Sequence, residues 1–199
     1  MLAAIGLGSE DILQRPVTEL SIGQQQRVAA ARALLGSPGI IVADEPTSAL
    51  DVSVQANILN LLVDLQNKEN VSYVFISHDL GVVRYISDRI AVLYLGRIME
   101  LGSAETVFNG PHHPYTEALV SSVPAIDGSQ RVRVRLGGEV PSPANPPQGC
   151  VLNPRCPRMA GSGVEHLCTS VEPDLVEAEP GHFLRCHIPL AQLRQIQAK

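Results

Sequence analysis

Residues 40–51 read IIVADEPTSALD, an apolar run that leads directly into two carboxylates. A short run of this kind is typical of a strand buried on both faces of a sheet, and Tyr73–Ser77 repeats the pattern. Residues between the two runs have helical spacing, so the alternation predicts an α/β sheet that is at least partly parallel. Polar residues that follow such strands gather at the carboxyl edge of the sheet, which here groups Asp44 and Glu45 with His78. There, one carboxylate can hold Mg²⁺ through water and its neighbour can polarise an attacking water.

Upstream of this stretch, residues 20–27 read LSIGQQQR. Ser21 followed three residues later by Gln24 fits a capping box and predicts a helix over Gly23–Leu35. Free N–H groups and the helix dipole both favour an anion at such an N-terminus. Ser21 and Gly23 are therefore candidate phosphate-binding residues.

The composition predicts a globular protein and excludes several classes. The chain has 199 residues, of which 45% are hydrophobic and 18% charged, enough for one or two domains with a sizeable core. Its net charge of −5 disfavours a dedicated nucleic-acid binder. No apolar run approaches the roughly 18 residues of a membrane span, and the start has no basic segment of a secretory signal. A reducing cytosol is the expected compartment.

Taken together and in this order, the motifs resemble the ATP-binding subunits of ATP-binding cassette (ABC) transporters. The similarity covers Leu20–Gly102, with LSIGQ as the signature, IIVADE as Walker B, SALD as the D-loop and the histidine of VFISHD as the switch histidine. It implies the C-terminal part of an α/β P-loop NTPase fold, with helices on both faces of the sheet, over residues 1–110.

The resemblance also implies a role for each motif in ATP hydrolysis. A second ABC ATPase subunit would hold an ATP molecule whose γ-phosphate contacts the signature residues, namely Ser21, Gly23 and Gln24. Asp44 would lie near Mg²⁺, and Glu45 would be the general base for the attacking water. His78 would sense the γ-phosphate, and Asp51 would link the two halves.

Residues 111–199 are similar to the C-terminal extension of dipeptide, oligopeptide and nickel importer ATPases. The similarity rests on HHPYTEALVSSVP at 112–124 and on LGGEVPSPANPPQGCVLNPRCP at 136–157. It implies a peptide importer ATPase, peripheral at the cytoplasmic face of the inner membrane. Its partners would be two transmembrane permease subunits and, indirectly, an extracytoplasmic peptide-binding protein, with no nucleic acid. The alternatives are nickel import, a metal-binding or interaction module without ATPase function, and a non-transport ABC ATPase that acts on nucleic acid.

The sequence departs from the family pattern in two ways. The phosphate-binding loop GxxxxGK[ST] does not occur in the 199 residues, so we expect a truncated subunit that does not hydrolyse ATP alone. Ile22 stands where the family has a glycine, and a β-branched residue lacks the φ values open to glycine. We therefore expect weakened activity at this signature motif.

Local patterns predict two further features, one before residue 110 and one after it. Residues 90–95 and 98–101 flank Gly96, which predicts a hairpin, and Arg131–Leu136 alternates basic and apolar residues as a strand would. The remainder is expected to be loop-rich, with few large apolar residues to build a core of its own.

The four cysteines all lie in the second half, at Cys150, Cys156, Cys168 and Cys186. A reducing compartment favours cysteines that are metal ligands or free thiols over cysteines in disulfides. The resemblance implies a 4Fe–4S cluster, while a zinc ion and four ordinary buried thiols remain open. Mixed ligation with the intervening histidines also remains open, and these are His166, His182 and His187.

Overall fold

The computed structural model describes residues 7, 12, 14–123 and 132–198, and the chain divides into two compact units. The first unit is Met1–Ile86 and the second is Ser87–Lys199. The boundary expected at residue 110 therefore lies inside the second unit. Among the described residues, no helix combines the length and the apolar character that a membrane crossing requires.

The first unit alternates helices with strands, as the sequence predicts. Its elements are α1 (Ile22–Leu34), β1 (Ile40–Asp44), α2 (Val52–Glu69), β2 (Ser72–Ile76) and α3 (Leu80–Ile86), preceded by a 3₁₀ turn at Val17–Glu19. Helix α2 ends at Asn70, whose φ of 51° is the left-handed conformation that commonly terminates helices.

Strands β1 and β2 pair in parallel, with Ile41 opposite Tyr73 and Asp44 opposite Ile76. Their inward residues pack against a core that α1 and α2 supply, which includes Leu34, Leu61 and Leu65. The expectation that both faces of these strands are buried is not met by the described residues. The opposite face is exposed because no described helix covers it, and its apolar residues are Ile40, Val42, Val74 and Ile76.

The second unit is built on a four-stranded antiparallel sheet of order β3–β4–β6–β5. Its elements are β3 (Arg89–Tyr94), β4 (Arg97–Ser103), α4 (Ala104–Asn109), α5 (Pro114–Ser121), α6 (Glu165–Ser170), β5 (Val176–Glu179), β6 (His182–Leu184) and α7 (Leu190–Gln197). The predicted hairpin is confirmed, with Leu95 and Gly96 at φ values of 47° and 73° in the turn between β3 and β4. Two successive positive φ values are typical of the tight turn that suits antiparallel strands.

The expectation of a coreless second half is wrong. One buried cluster groups Tyr94 and Met99 with Val151 and Leu152, and another is formed by Leu184, Ile188 and Leu193. In the first of these clusters, residues about 50 positions apart in sequence pack together.

The strand expected at Arg131–Leu136 is also not found. Arg131 lies outside the described residues, and 132–136 form no strand. The backbone N–H of Val134 donates to the Ser121 hydroxyl at 3.0 Å, so a side chain takes the place of a neighbouring strand.

Candidate functional site

The start of α1 is a complete capping box, as predicted. The Ser21 hydroxyl accepts from the backbone N–H of Gln24 at 3.3 Å, and the Gln24 side chain accepts from the Ser21 N–H at 2.9 Å. The next two N–H groups, of Ile22 and Gly23, have no acceptor within a helix of this geometry. With Ser21 exposed, this terminus presents a hydroxyl and backbone N–H groups to an anion.

The Gln25 side chain anchors the residues that precede α1, a role that the sequence did not predict. Its Nε2 donates to the backbone oxygens of Val17 and Leu20 at 3.2 and 3.0 Å. Leu20 is buried, so the chain that leads into the capping box is held by both a polar and an apolar contact.

Glu45 and His78 are joined directly at the carboxyl edge of the parallel pair. His78 Nδ1 lies 2.8 Å from Glu45 Oε1, and the Glu45 backbone N–H donates to the Ile76 oxygen at 3.0 Å. The carboxylate raises the pKa of His78 because it accepts a hydrogen bond from the ring and attracts the imidazolium. Both side chains remain open to solvent, with exposed fractions of 78% for His78 and 38% for Glu45.

The backbone at Glu45 is strained. Its φ is 47°, a left-handed conformation that is uncommon for a residue with a side chain. Such outliers concentrate at functional sites, where the surrounding structure holds them in place. Here the conformation turns the Glu45 side chain towards His78, while Asp44 ends β1 with an exposed carboxylate.

Asp51 is the N-cap of α2. Its carboxylate accepts from the backbone N–H of Val54 at 2.9 Å and from the Ser53 hydroxyl at 2.7 Å. These hydrogen bonds, led by that from Ser53, lower the pKa of Asp51. The side chain is thus anchored to its own helix.

Two local hydrogen-bonded motifs that were not predicted from the sequence flank His78: a helix cap at Asp79 and a serine turn at Ser77. Asp79 accepts from the N–H groups of Gly81 and Val82 at 2.8 and 3.2 Å, and the Ser77 hydroxyl accepts from the Asp79 N–H at 3.0 Å. An aspartate directly before an apolar helix was the available signal. These motifs fix the backbone on both sides of His78.

The predicted residues thus form two groups within the first unit. Glu45 and His78 touch, whereas no hydrogen bond among the described residues joins them to the Ser21–Gln24 box.

The four cysteines come from separate parts of the second unit and are all free thiols. Cys150 donates its N–H to the Cys168 oxygen at 2.9 Å. Burial raises the pKa of every one of these thiols, to about 11 for Cys156 and about 12 for Cys186. For Cys156, Cys168 and Cys186, neighbouring thiolates of the set add to the increase. The four side chains are therefore near enough to interact electrostatically.

The surroundings of these thiols limit what they can bind. Across residues 14–123 and 132–198, no three His, Cys, Asp or Glu side chains are grouped to hold a metal ion. His182 Nε2 is bonded to Glu100 at 2.8 Å and His187 Nε2 to the Val171 oxygen at 2.8 Å. One ring nitrogen of each histidine is thus bonded to a group outside the thiol set.

A buried polar network in the second unit was not foreseen. Glu100 has no exposed surface, and it accepts from His182 Nε2 and from the His113 N–H, both at 2.8 Å. His113 in turn accepts from the Tyr115 N–H through Nδ1 at 3.1 Å, and burial lowers its pKa to about 3. No local sequence signal marks Glu100, because its partner His182 is far along the chain.

Two regions of the chain match known protein families. The family model described as "ABC transporter" matches residues 2–48. The family model described as "Oligopeptide/dipeptide transporter, C-terminal region" matches residues 99–161. The oligopeptide transport ATP-binding protein AppF of Bacillus subtilis is 50% identical over 94% of this chain and 56% of its own length. The dipeptide transport ATP-binding protein DppF of Escherichia coli is 49% identical over 88% of this chain and 51% of its own length.

Solved structures show the same fold over the shared region. CbiO1 of Clostridium perfringens, part of an ABC transporter complex, matches with a TM-score of 0.50 and 32% identity over 54% of this chain and 42% of that one. An ATP-binding cassette of an ABC transporter in its ADP conformation matches with a TM-score of 0.50 and 28% identity over 58% of this chain and 46% of that one.

Over most of its length the chain is similar to ATP-binding subunits of ABC transporters. Residues 99–161 match the C-terminal region of the oligopeptide/dipeptide type. The chain spans about half the length of the curated relatives it matches.

Proposed function

We propose that the chain is part of an ATP-hydrolysing subunit that powers peptide uptake through an ABC importer. The observation that carries this is the contact of Glu45 with His78, at 2.8 Å, beside the exposed carboxylate of Asp44. A carboxylate that can take a proton from water and a histidine that can donate to a phosphate oxygen are the groups that hydrolysis of a γ-phosphate needs.

In this proposal the two groups of residues serve two different ATP molecules. Glu45 acts as general base, His78 contacts the γ-phosphate and Asp44 lies near Mg²⁺. The Ser21, Gly23 and Gln24 terminus contacts the γ-phosphate of ATP held by a second ABC ATPase subunit, and Asp51 links the halves.

The peptide substrate is supported by the relatives and by the C-terminal region. AppF and DppF are described as oligopeptide and dipeptide transport proteins, and the matching C-terminal region has the same association. We place the subunit at the cytoplasmic face of the inner membrane, bound to two transmembrane permease subunits that receive peptide from an extracytoplasmic binding protein.

We further propose that the cysteines hold a 4Fe–4S cluster with a structural role. The donor type supports this proposal, because the second unit carries four free thiols and thiolates are the usual ligands of such clusters. Binding would require the thiols to move together, since no three of the described side chains are grouped as metal ligands. Gly149 supports the arrangement, since a Cβ there would come 2.5 Å from the Cys168 oxygen. The cluster would cross-link the loops around Cys150 and Cys156 to α6.

The cluster is tested by anaerobic purification, which should give roughly four iron atoms per chain. Cys186→Ser should remove most of the iron, while the matched Ser162→Ala variant should keep it. About one zinc per chain, or metal-free protein with four titratable thiols, would overturn the proposal.

The ATPase role is tested with a site assembled from two chains. The 199-residue chain is mixed with a full-length ABC ATPase subunit whose own signature serine is replaced by alanine. ATP turnover should rise above that of the partner alone, because this chain supplies the missing signature. The Ser21→Ala variant should lose the gain and the exposed-serine control Ser122→Ala should retain it. Turnover that does not rise, or a rise that survives Ser21→Ala, would refute the role.

A further inference from the structure

Gly23, in the first turn of α1, lies against the first turn of α2. A Cβ at Gly23 would come 2.8 Å from Val54 Cγ1, closer than the roughly 3.5 to 4.0 Å at which carbon atoms pack. The two helices therefore begin as near to each other as a residue without a side chain permits.

Val54 has little freedom to move away. A valine in a helix has one strongly preferred side-chain rotamer, so its methyl groups cannot readily swing aside. Its backbone is fixed as well, because its N–H donates to Asp51 Oδ1 at 2.9 Å and the following Gln55 N–H donates to the Asp51 oxygen at 2.8 Å. Displacement of Val54 would therefore displace Asp51.

The contact joins two segments that the proposed function uses separately. On one side, Gly23 lies between Ser21 and Gln24, the two members of the capping box. On the other side, Val54 is tied to Asp51, the N-cap of α2. The contact thus lies between the start of α1 and the D-loop residue that caps α2.

We propose that Gly23 is a positioning residue that sets the approach of α2 to α1 by admitting Val54. This inference rests on the proposed function, in which Ser21 contacts the ATP of the second subunit and Asp51 links the halves. It is separate from the phosphate contact proposed for this terminus, which Gly23 can make only through its backbone N–H and which alanine would keep. The side chain that Gly23 must accommodate belongs to this chain. A substituent at position 23 shifts Asp51 relative to Ser21 even when no nucleotide is present.

The test is a double-mutant cycle with Gly23→Ala, Val54→Ala and the two combined. The first measurement is hydrogen exchange at the backbone amide of residue 54 in the 199-residue chain without nucleotide. Gly23→Ala should speed exchange about tenfold, because overpacked contacts force such shifts. The combined variant should return to within about twofold of the Val54→Ala rate. Gly36→Ala is the control, because a Cβ at Gly36 meets no atom within 4 Å.

The second measurement is ATP turnover by the two-chain assembly described above. Gly23→Ala should lose most of the turnover, Val54→Ala should keep most of it, and the combined variant should recover it. An unchanged exchange rate in Gly23→Ala, or an exchange rate that does not recover in the combined variant, would overturn the packing role. Recovery of exchange without recovery of turnover would overturn the positioning role.

The two measurements also separate this inference from the proposed function. If the unsubstituted chain supports no turnover, the proposed function fails, and the positioning role in ATP hydrolysis fails with it. The exchange cycle would still decide whether Gly23 fixes the separation of the helices.

Discussion

Replacement of Glu100 by alanine should strongly destabilise the second unit. The carboxylate is completely buried and accepts one hydrogen bond from His182 on β6 and one from the backbone N–H of His113 ahead of α5. The substitution leaves both donors buried without that acceptor. It therefore loosens the contact between β4, β6 and the start of α5.

The magnitude follows from the number of donors left behind. Each buried, unsatisfied donor costs about 1 to 3 kcal/mol, so the two together cost about 4 kcal/mol. In a unit of this size, about 4 kcal/mol corresponds to a decrease of roughly 15 °C in melting temperature.

Thermal and urea unfolding of the full chain, followed by circular dichroism, provide the assay. Glu139→Ala is the matched control, because Glu139 is exposed, and it should change the unfolding free energy by no more than about 0.5 kcal/mol. A loss of less than about 1 kcal/mol in Glu100→Ala would refute the reasoning, because it would mean that the two donors find other acceptors at little cost.

Three further predictions concern single residues. Because burial lowers the pKa of His113 to about 3, the unfolded chain binds a proton that the folded chain does not as pH falls below about 6.5. The free energy of unfolding should thus fall by up to about 1.4 kcal/mol per pH unit towards pH 3. In His113→Asn, whose side chain can keep the helix cap, the free energy of unfolding should depend less steeply on pH. An equal slope would contradict this. Glu45→Gln should lower the pKa of His78 in an NMR titration, because the carboxylate raises it; an unchanged His78 pKa would show that the two side chains do not interact. Ile22→Gly should raise turnover of the two-chain assembly, because Ile22 is 52% exposed beside the capping box and glycine permits closer approach; unchanged turnover would mean that the side chain does not obstruct phosphate.

Local features of the fold could be predicted from the sequence. The Ser21–Gln24 box and the turn at Gly96 depend on residues within four positions of each other, and both were found as expected. The meeting of Glu45 with His78 was also predictable, although they lie 33 positions apart. Parallel strands end at the same edge of a sheet, so the residues that follow them converge.

Features that depend on distant pairing could not be predicted. Glu100 meets His182 across 82 positions, because β6 returns to pair with β4. No periodicity in either strand encodes that pairing, so the core of the second unit and its buried carboxylate were missed. The contact between Gly23 and Val54 was missed for the same reason, since helix packing brings them together.

The central claim is that Ser21 and its neighbours complete an ATP site on a second subunit. Sedimentation of the chain with a full-length ABC ATPase subunit, whose catalytic glutamate is replaced by glutamine to prevent hydrolysis, tests this claim most directly. We predict a complex of the two chains that forms with MgATP, dissociates with MgADP and is abolished by Ser21→Arg. Sedimentation that is the same with and without MgATP, or a complex that Ser21→Arg leaves intact, would contradict the account.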